Sequence, residues 1–378
     1  MTEHKPPQAM TLFDLIARTW ALKTEVRGLA FNASGSALSA LLADGRLAFV
    51  SVKDAESPDS RVRVEADTGR ANIRPRTKPL PPPVITEVPV ARLEVRPGRL
   101  GDQGLAFAHA ETGVLWRATA RGQVLAMNAA PRLAPTALAA LPRAGLLAAG
   151  FGSRLSLLAE AGGAEIACLE LPHAVARIAV SADETRLACW GDGQVSLVGV
   201  KEPALGSTIA CAGDLLELTW SPCGRWLLGG CRDKALLLVD VAAGTADRIV
   251  DFPAPVHNVA VSPAADAMVA SGAFRVVGWR LPDLPFGTHD GTPIETGKPG
   301  LTLVDRIAVH PSRDLCAVGY GTGLVMLCRI GHGDEMLVRE GTGDAVTALA
   351  WSDDGAHLAI GGTDGGLSIA TFPNNMFK

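Results

Sequence analysis

An apolar run, a polar turn, a second apolar run, a tight turn and a third apolar run return along this chain at a nearly fixed period, which points to a repeat architecture. The clearest copy spans Leu218 to Asp240. It passes through Trp220, the turn Ser221-Pro222-Cys223-Gly224, the pair Gly229-Gly230, the turn at Arg232-Asp233, and the run Ala235 to Val239. Leu349 to Ile369 repeats it, with Trp351, Asp353-Asp354-Gly355, Gly361-Gly362 and Asp364-Gly365 in the same places. Taking the residue before the first turn as anchor gives Phe31, Val95, Ala140, Val180, Trp220, Val261, Val309 and Trp351, at intervals of 64, 45, 40, 40, 41, 48 and 42 residues. Fainter copies match one another: Val90 to Pro97 reads like Val304 to Pro311, and Leu105 to Val114 like Leu315 to Leu324.

Short runs of Val, Leu and Ile bounded by Gly, Pro, Asp and Ser signal strands. About forty residues hold four of them, the content of one propeller blade. A single blade cannot bury both faces, so the units must stack around an axis. Helical solenoids share the period but need longer turn-free runs than this chain provides. The expectation is an all-β, closed propeller of four-stranded antiparallel blades. Eight anchors favour eight blades, with seven as the alternative because Ala140 marks the blandest copy.

The pattern resembles the WD40-repeat family over about residues 26–370. The family's turn aspartate stands at Asp44, Asp192, Asp233 and Asp364. Its terminal Trp-Asp is eroded: Val239-Asp240 keeps the Asp, while Trp116-Arg117 and Trp279-Arg280 keep the Trp. The Gly-His pair is largely missing, although His173 stands near its place. The resemblance implies that the strand-like segment Ile16 to Lys23 completes the last blade and closes the ring, leaving no open sheet edge. A flexible leader (1–11) and one propeller domain (12–378) are expected.

Composition supports a large core and a reducing compartment. Hydrophobic residues make up 48% of the chain. The seven cysteines are an odd number without scaffold spacing, and Cys189, Cys231, Cys316 and Cys328 sit inside apolar runs. Neither a signal peptide nor an apolar stretch of roughly twenty residues is present, so the cytoplasm is expected and a membrane partner is not. A net charge of −4 offers no bulk attraction to nucleic acid.

Two segments break the period. An insertion at about 53–88 carries the polyproline-like Arg74 to Pro83, with Arg74, Arg76 and Lys78 as a candidate basic loop. Residues 61–99 hold nine basic and four acidic side chains. Such a loop can dock an acidic protein, an aromatic groove or a nucleic acid, or merely tether two strands; the lack of interleaved aromatics disfavours nucleic acid. The second segment, Leu281 to Pro293, holds Asp283, His289 and Asp290, read as polar loop residues rather than metal ligands.

No catalytic, cofactor or metal motif stands out. Gly319 to Gly323 and Gly361 to Gly366 join two strands of a unit instead of opening a helix, so they read as hairpin turns and not as phosphate loops. His310 replaces the Ser of a Ser-Pro turn and is expected to cap it. Aligned slots say more. Three residues before each anchor stand Gly28, Arg92, Ala137, Arg177, Glu217, Asn258, Arg306 and Ala348. The turn slots that emerge on the same face hold Phe151, Trp190, Phe274 and Tyr320. Arginine with exposed aromatics is the composition of a protein-binding hot spot. The competing reading has the aromatics filling gaps between blades and the arginines paired with Glu217 and the turn aspartates. The expected function is therefore a non-catalytic adaptor or scaffold binding one or more proteins through this rim and the insertion. The alternatives are an enzyme or small-anion-binding subunit that uses the axial channel, and nucleic-acid binding through the basic insertion.

Overall fold

The computed structural model describes residues 10–64, 67, 71–102, 104–127, 133–373 and 376–377. Most of the expected leader (1–9) lies outside them, and so do parts of the insertion. Eight four-stranded antiparallel sheets follow one another as blades. Their innermost strands are Val26–Phe31, Gly98–Leu100, Ala137–Leu141, Arg177–Val180, Leu215–Trp220, Val259–Ser262, Val304–Val309 and Val346–Trp351, which number blades 1 to 8. Eight blades, the favoured count, is the count observed. Blade 8 takes its outer strand from the other end of the chain: Ala17–Ala21 pairs with Gly366 to Ala370. The closing strand is where the resemblance implied.

The strand patterns explain the packing. Second and third strands such as Trp226–Cys231 and Leu236–Asp240 are buried along their whole length, because each is covered by a blade on either face. Outer strands alternate, as Glu165–Glu170 does, since one of their faces meets water. Blades are joined by repeated devices. The indole N–H groups of Trp220 and Trp351 donate to the carbonyls of Ala179 (3.1 Å) and Ala308 (3.0 Å), each on the inner strand of the preceding blade. His310 caps its turn by accepting from Ser312 N at 3.2 Å, and its Nε2 reaches the Gly355 carbonyl of blade 8 at 3.1 Å. In blade 4 the buried His173 bonds Ser196 Oγ at 2.9 Å, and Ser196 bonds Thr208 at 3.0 Å, so one interior polar network survives. Asp240 accepts from the amides of Ala242 and Ala243, both at 3.0 Å, and caps the turn after its strand.

Blade 2 departs from the expected register. Val95 lies outside any strand, and the inner strand is the three-residue Gly98–Leu100. The likeness of Val90–Pro97 to the strand Val304–Val309 therefore does not extend to conformation. Leu100 packs with Leu115 and Leu147, and its burial carries the ladder past Pro97, which has no N–H to offer. Gly98 packs closely there, where a Cβ would meet the Leu147 Cδ1 methyl at 2.9 Å.

The insertion leaves blade 1 between its third and fourth strands and packs beneath the closing joint. Trp20 donates its indole N–H to the Pro81 carbonyl at 2.8 Å. Buried Arg61 donates to the carbonyls of Glu56, Arg74 and Leu15. Among the described residues no helix is long and apolar enough to cross a membrane.

Candidate functional site

In each blade, the loop that enters the inner strand and the turn between the second and third strands emerge on one face, here called the entry face. The inner strands of blades 1, 5, 7 and 8 carry a β-bulge near their start, at Val26/Gly28, Leu215/Glu217, Val304/Arg306 and Val346/Ala348. A bulge re-aims side chains locally. Here an apolar residue stays buried while the bulged and following residues turn to the axis: Arg27, Leu216 and Thr347 line an axial hollow together with Gly28, Glu217, Arg306 and Ala348. The repeated dyad of a buried aliphatic and a variable residue before the slot was visible in the sequence, but only knowledge of the bulge gives it meaning.

The hollow has a volume of about 370 Å³. It opens between blades 1 and 2, where the unladdered segment around Leu93, Arg96 and Pro97 stands in for a full inner strand. A second hollow of about 100 Å³ adjoins it through shared Arg96 and Glu217, and adds Ala137 and Arg177. Seven of the eight aligned slots thus meet around the axis. The exception is Arg92, whose backbone N–H donates to Ala108 at 2.8 Å and which lines neither hollow. Arg96 takes its place, a residue that sequence alignment missed because the shift of the blade 2 strand is not written in the repeat.

Charge around the axis is unbalanced. Arg27, Arg96, Arg177 and Arg306 line the two hollows with one carboxylate, Glu217, in the same lining; Arg27 is paired with Glu25 at 3.4 Å, and Asp305 stands near Arg306 outside the hollows. Glu217 accepts from Asn258 Nδ2 at 2.9 Å and Val259 N at 3.2 Å, and lies 3.6 Å from Arg96. Arg306 donates to the Thr347 carbonyl at 2.7 Å and the Asp305 carbonyl at 2.9 Å. Arg177 donates to the Ala176 carbonyl at 2.7 Å, and its Nε has no acceptor among the described residues. Burial lowers the pKa values of Arg177 and Arg306, and nearby Arg96 adds to the effect.

His257 reports this field. Burial, with the charges of Arg306, Arg232 and Arg96 around it, pushes its imidazole from 6.5 down to about 4. Burial likewise lowers His310 and His357. An unfolded imidazole takes a proton near pH 6.5, whereas folded His257 resists until about 4. The unfolded chain binds more protons between those values, so stability falls as pH drops through that window. Melting temperatures measured from pH 7 to 4.5 are expected to decline for the wild type and less steeply for His257→Gln. Equal slopes would show that His257 is not a source of the decline.

The turn aromatics divide. Phe151 is 5% exposed, Trp190 9% and Tyr320 8%, all packed in clusters shared between blades, as the competing reading had it. The expectation of exposure is corrected for these three, because the second strand that carries them is covered by a blade on each face. Phe274 alone is open, at 45%. Beside it stands Leu301, fully exposed, the two loops being joined by Gly300 N donating to the Phe274 carbonyl at 2.9 Å.

Of the basic loop, Arg76 is held by Asp54 and pairs with Glu56 at 3.8 Å, while Arg74 and Lys78 are exposed. Burial disfavours the Asp54 carboxylate, but the hydrogen bond from Arg76, the Glu56 amide and the Arg18 charge outweigh it and hold its pKa below the usual range. Part of the local positive charge is thus neutralised inside the joint between blades 1 and 8. In the second excursion His289 and Thr292 both engage Asp283.

Comparison with known proteins agrees with this architecture. The WD40 domain of anaphase-promoting complex subunit 4 matches residues 307–376, the last two blades. Among curated proteins none matches. A chain in the crystal structure of a mitotic checkpoint complex superposes with a TM-score of 0.52 at 14% identity, covering 71% of this chain and 84% of that one. The computationally designed protein Ika8 superposes with a TM-score of 0.61 at 15% identity, covering 93% of this chain and 98% of that one. At such identities the superpositions establish the fold alone. The ring of eight four-stranded blades makes the chain a β-propeller, and its last two blades are similar to a WD40 domain.

Proposed function

We propose that this propeller is a protein-binding scaffold whose contact surface is the entry face. One observation carries the reading. The thirteen large hydrophobic side chains that stand exposed among the described residues are distributed unevenly. Val88, Leu93, Leu133, Val250, Phe274 and Leu301 lie on loops of the entry face. Val84, Leu125, Ile166, Leu205 and Leu337 lie on outer strands, Met10 and Val64 lie outside the blades, and none falls in a turn of the opposite face. Scattered exposed apolar residues need no explanation, but their gathering on the longer loops of one end of the ring is what a contact surface there would present. The two assemblies named among the similar proteins, an anaphase-promoting complex and a mitotic checkpoint complex, are in keeping with a scaffold role.

The test is recovery of partners from the native cell with Phe274→Ser combined with Leu301→Ser, set against the outer-strand pair Ile166→Ser with Leu337→Ser. All four positions are exposed, so both variants are expected to melt within about 1 kcal/mol of the wild type. A partner lost tenfold or more with the first pair and kept with the second supports the entry face. Equal recovery from both would sink it.

A further inference from the structure

We propose that the axial hollow is a binding site for a small, multiply charged oxyanion, held by Arg96, Arg177 and Arg306. This goes beyond the scaffold reading and does not depend on it. The first ground is composition. Three arginines line two adjoining hollows that share Arg96 and Glu217, and the one carboxylate in that lining is already engaged by Asn258, the Val259 amide and Arg96, while Asp305 near Arg306 and Asp214 near Arg177 stand outside it. A propeller needs no charge at its axis: the same slot is filled by Gly28, Ala137 and Ala348 in other blades. Arginine is therefore a choice at this position, and guanidinium is the group that matches carboxylate and phosphate oxygens bidentately.

The second ground is the unspent donor capacity. Each guanidinium carries five N–H groups. Arg306 commits Nε and Nη1 to carbonyls, and Arg177 commits Nη1 while its Nε is buried without an acceptor among the described residues. Arg96 is exposed and, among the described residues, is held by an ion pair at 3.6 Å, which leaves its donors able to close on a guest. A buried donor without a partner costs free energy that an oxyanion would recover.

The third ground is shape. A volume of about 370 Å³ sits at the small end of the roughly 300–1,000 Å³ typical of ligand sites, which suits a metabolite-sized anion better than a peptide or a nucleic-acid strand. Leu29, Leu41 and Leu105 also line the hollow, so a guest with a short carbon or sugar-like body beside its charged groups is accommodated.

The experiment follows thermal denaturation and calorimetric binding with pyrophosphate and with citrate, against sodium chloride of equal ionic strength. A ligand that binds only the folded state raises its melting temperature. The expected result is a rise with pyrophosphate, citrate or both that chloride does not reproduce; which of the two acts tells a phosphate from a polycarboxylate site. Arg177→Gln and Arg306→Gln should each weaken binding at least tenfold, while their ligand-free melting temperatures stay equal to the wild type or rise, because like charges have been thinned. A structural role for the arginines would instead lower them. Arg143→Gln, on the opposite face, removes the same net charge and should leave affinity unchanged. Arg96→Gln, at an exposed position, decides the matter if either buried arginine proves necessary for folding. No anion-specific rise, or affinity retained when Arg96 and the foldable buried variants are changed, would overturn the site.

Discussion

A chain that begins at residue 22 is expected to aggregate instead of folding to a soluble ring. Removal of Ala17–Ala21 strips the outer strand from blade 8 and leaves Gly366–Thr371 as an open edge, the kind of surface that recruits further strands. The loss reaches beyond the ladder. Trp20 and Ile16 are buried, and deleting such side chains costs about 2–5 kcal/mol each. Buried Arg18 donates to the carbonyls of Ser51 at 3.0 Å and Val52 at 2.7 Å and pairs with Asp54 at 3.7 Å, so its removal leaves those groups short of partners. Together these approach the whole stability of an ordinary fold, about 5–15 kcal/mol. Size-exclusion chromatography and thermal melts of the truncated chain check this, and a synthetic peptide of residues 10–24 added during refolding should restore part of the monodisperse species. A monomer that melts cooperatively without the strand would show that the ring closes by other means.

Substitution of Gly361 by alanine is expected to cost about 3 kcal/mol, because overpacking a closed ring cannot be relieved at a free edge. An added Cβ would lie 2.5 Å from Cγ1 and 2.8 Å from Cβ of Val26, a fully buried residue where blade 1 meets blade 8. The same knob and socket recur where Val346 meets Gly319, at 2.5 Å, and Val175 meets Gly150, at 2.7 Å. At Gly230 the obstacle is the Val256 carbonyl, at 2.3 Å. Val26→Ala alone opens a small cavity, yet combined with Gly361→Ala it makes room for the added methyl group. Chemical denaturation should therefore find the double variant less damaged than the two single losses added together. Strict additivity would mean that the two residues do not share the contact.

Much of the ring was legible beforehand. The anchors at Phe31, Trp220 and Trp351 end their inner strands, and Ile16 to Lys23 contains the closing strand. Both follow from local rules: apolar alternation and turn chemistry act within a few residues, and one motif repeated eight times leaves little choice of architecture. The slot residues Arg177, Glu217 and Arg306 were legible for the same reason, since a constant offset from a repeated turn transfers from blade to blade.

What lay outside the repeat was not. Phe151 and Trp190 end second strands packed between blades, whereas Phe274 stands past the end of Ala267–Ala270 in the turn itself, and of the three only Phe274 is open. Arg96 replaces Arg92 at the axis because the inner strand of blade 2 begins at Gly98, beyond Val95, and the repeat does not record that shift. The sequence by itself determined the all-β repeat and favoured eight units over seven, and its resemblance to a known family implied the strand that joins the two ends. Only the tertiary structure decided which arginines share one hollow, which aromatics are spent between blades, and which face carries the exposed apolar loops. The first set rests on interactions between residues near in the chain or related by the repeat; the second rests on contacts between blades, whose geometry is fixed only when the ring closes.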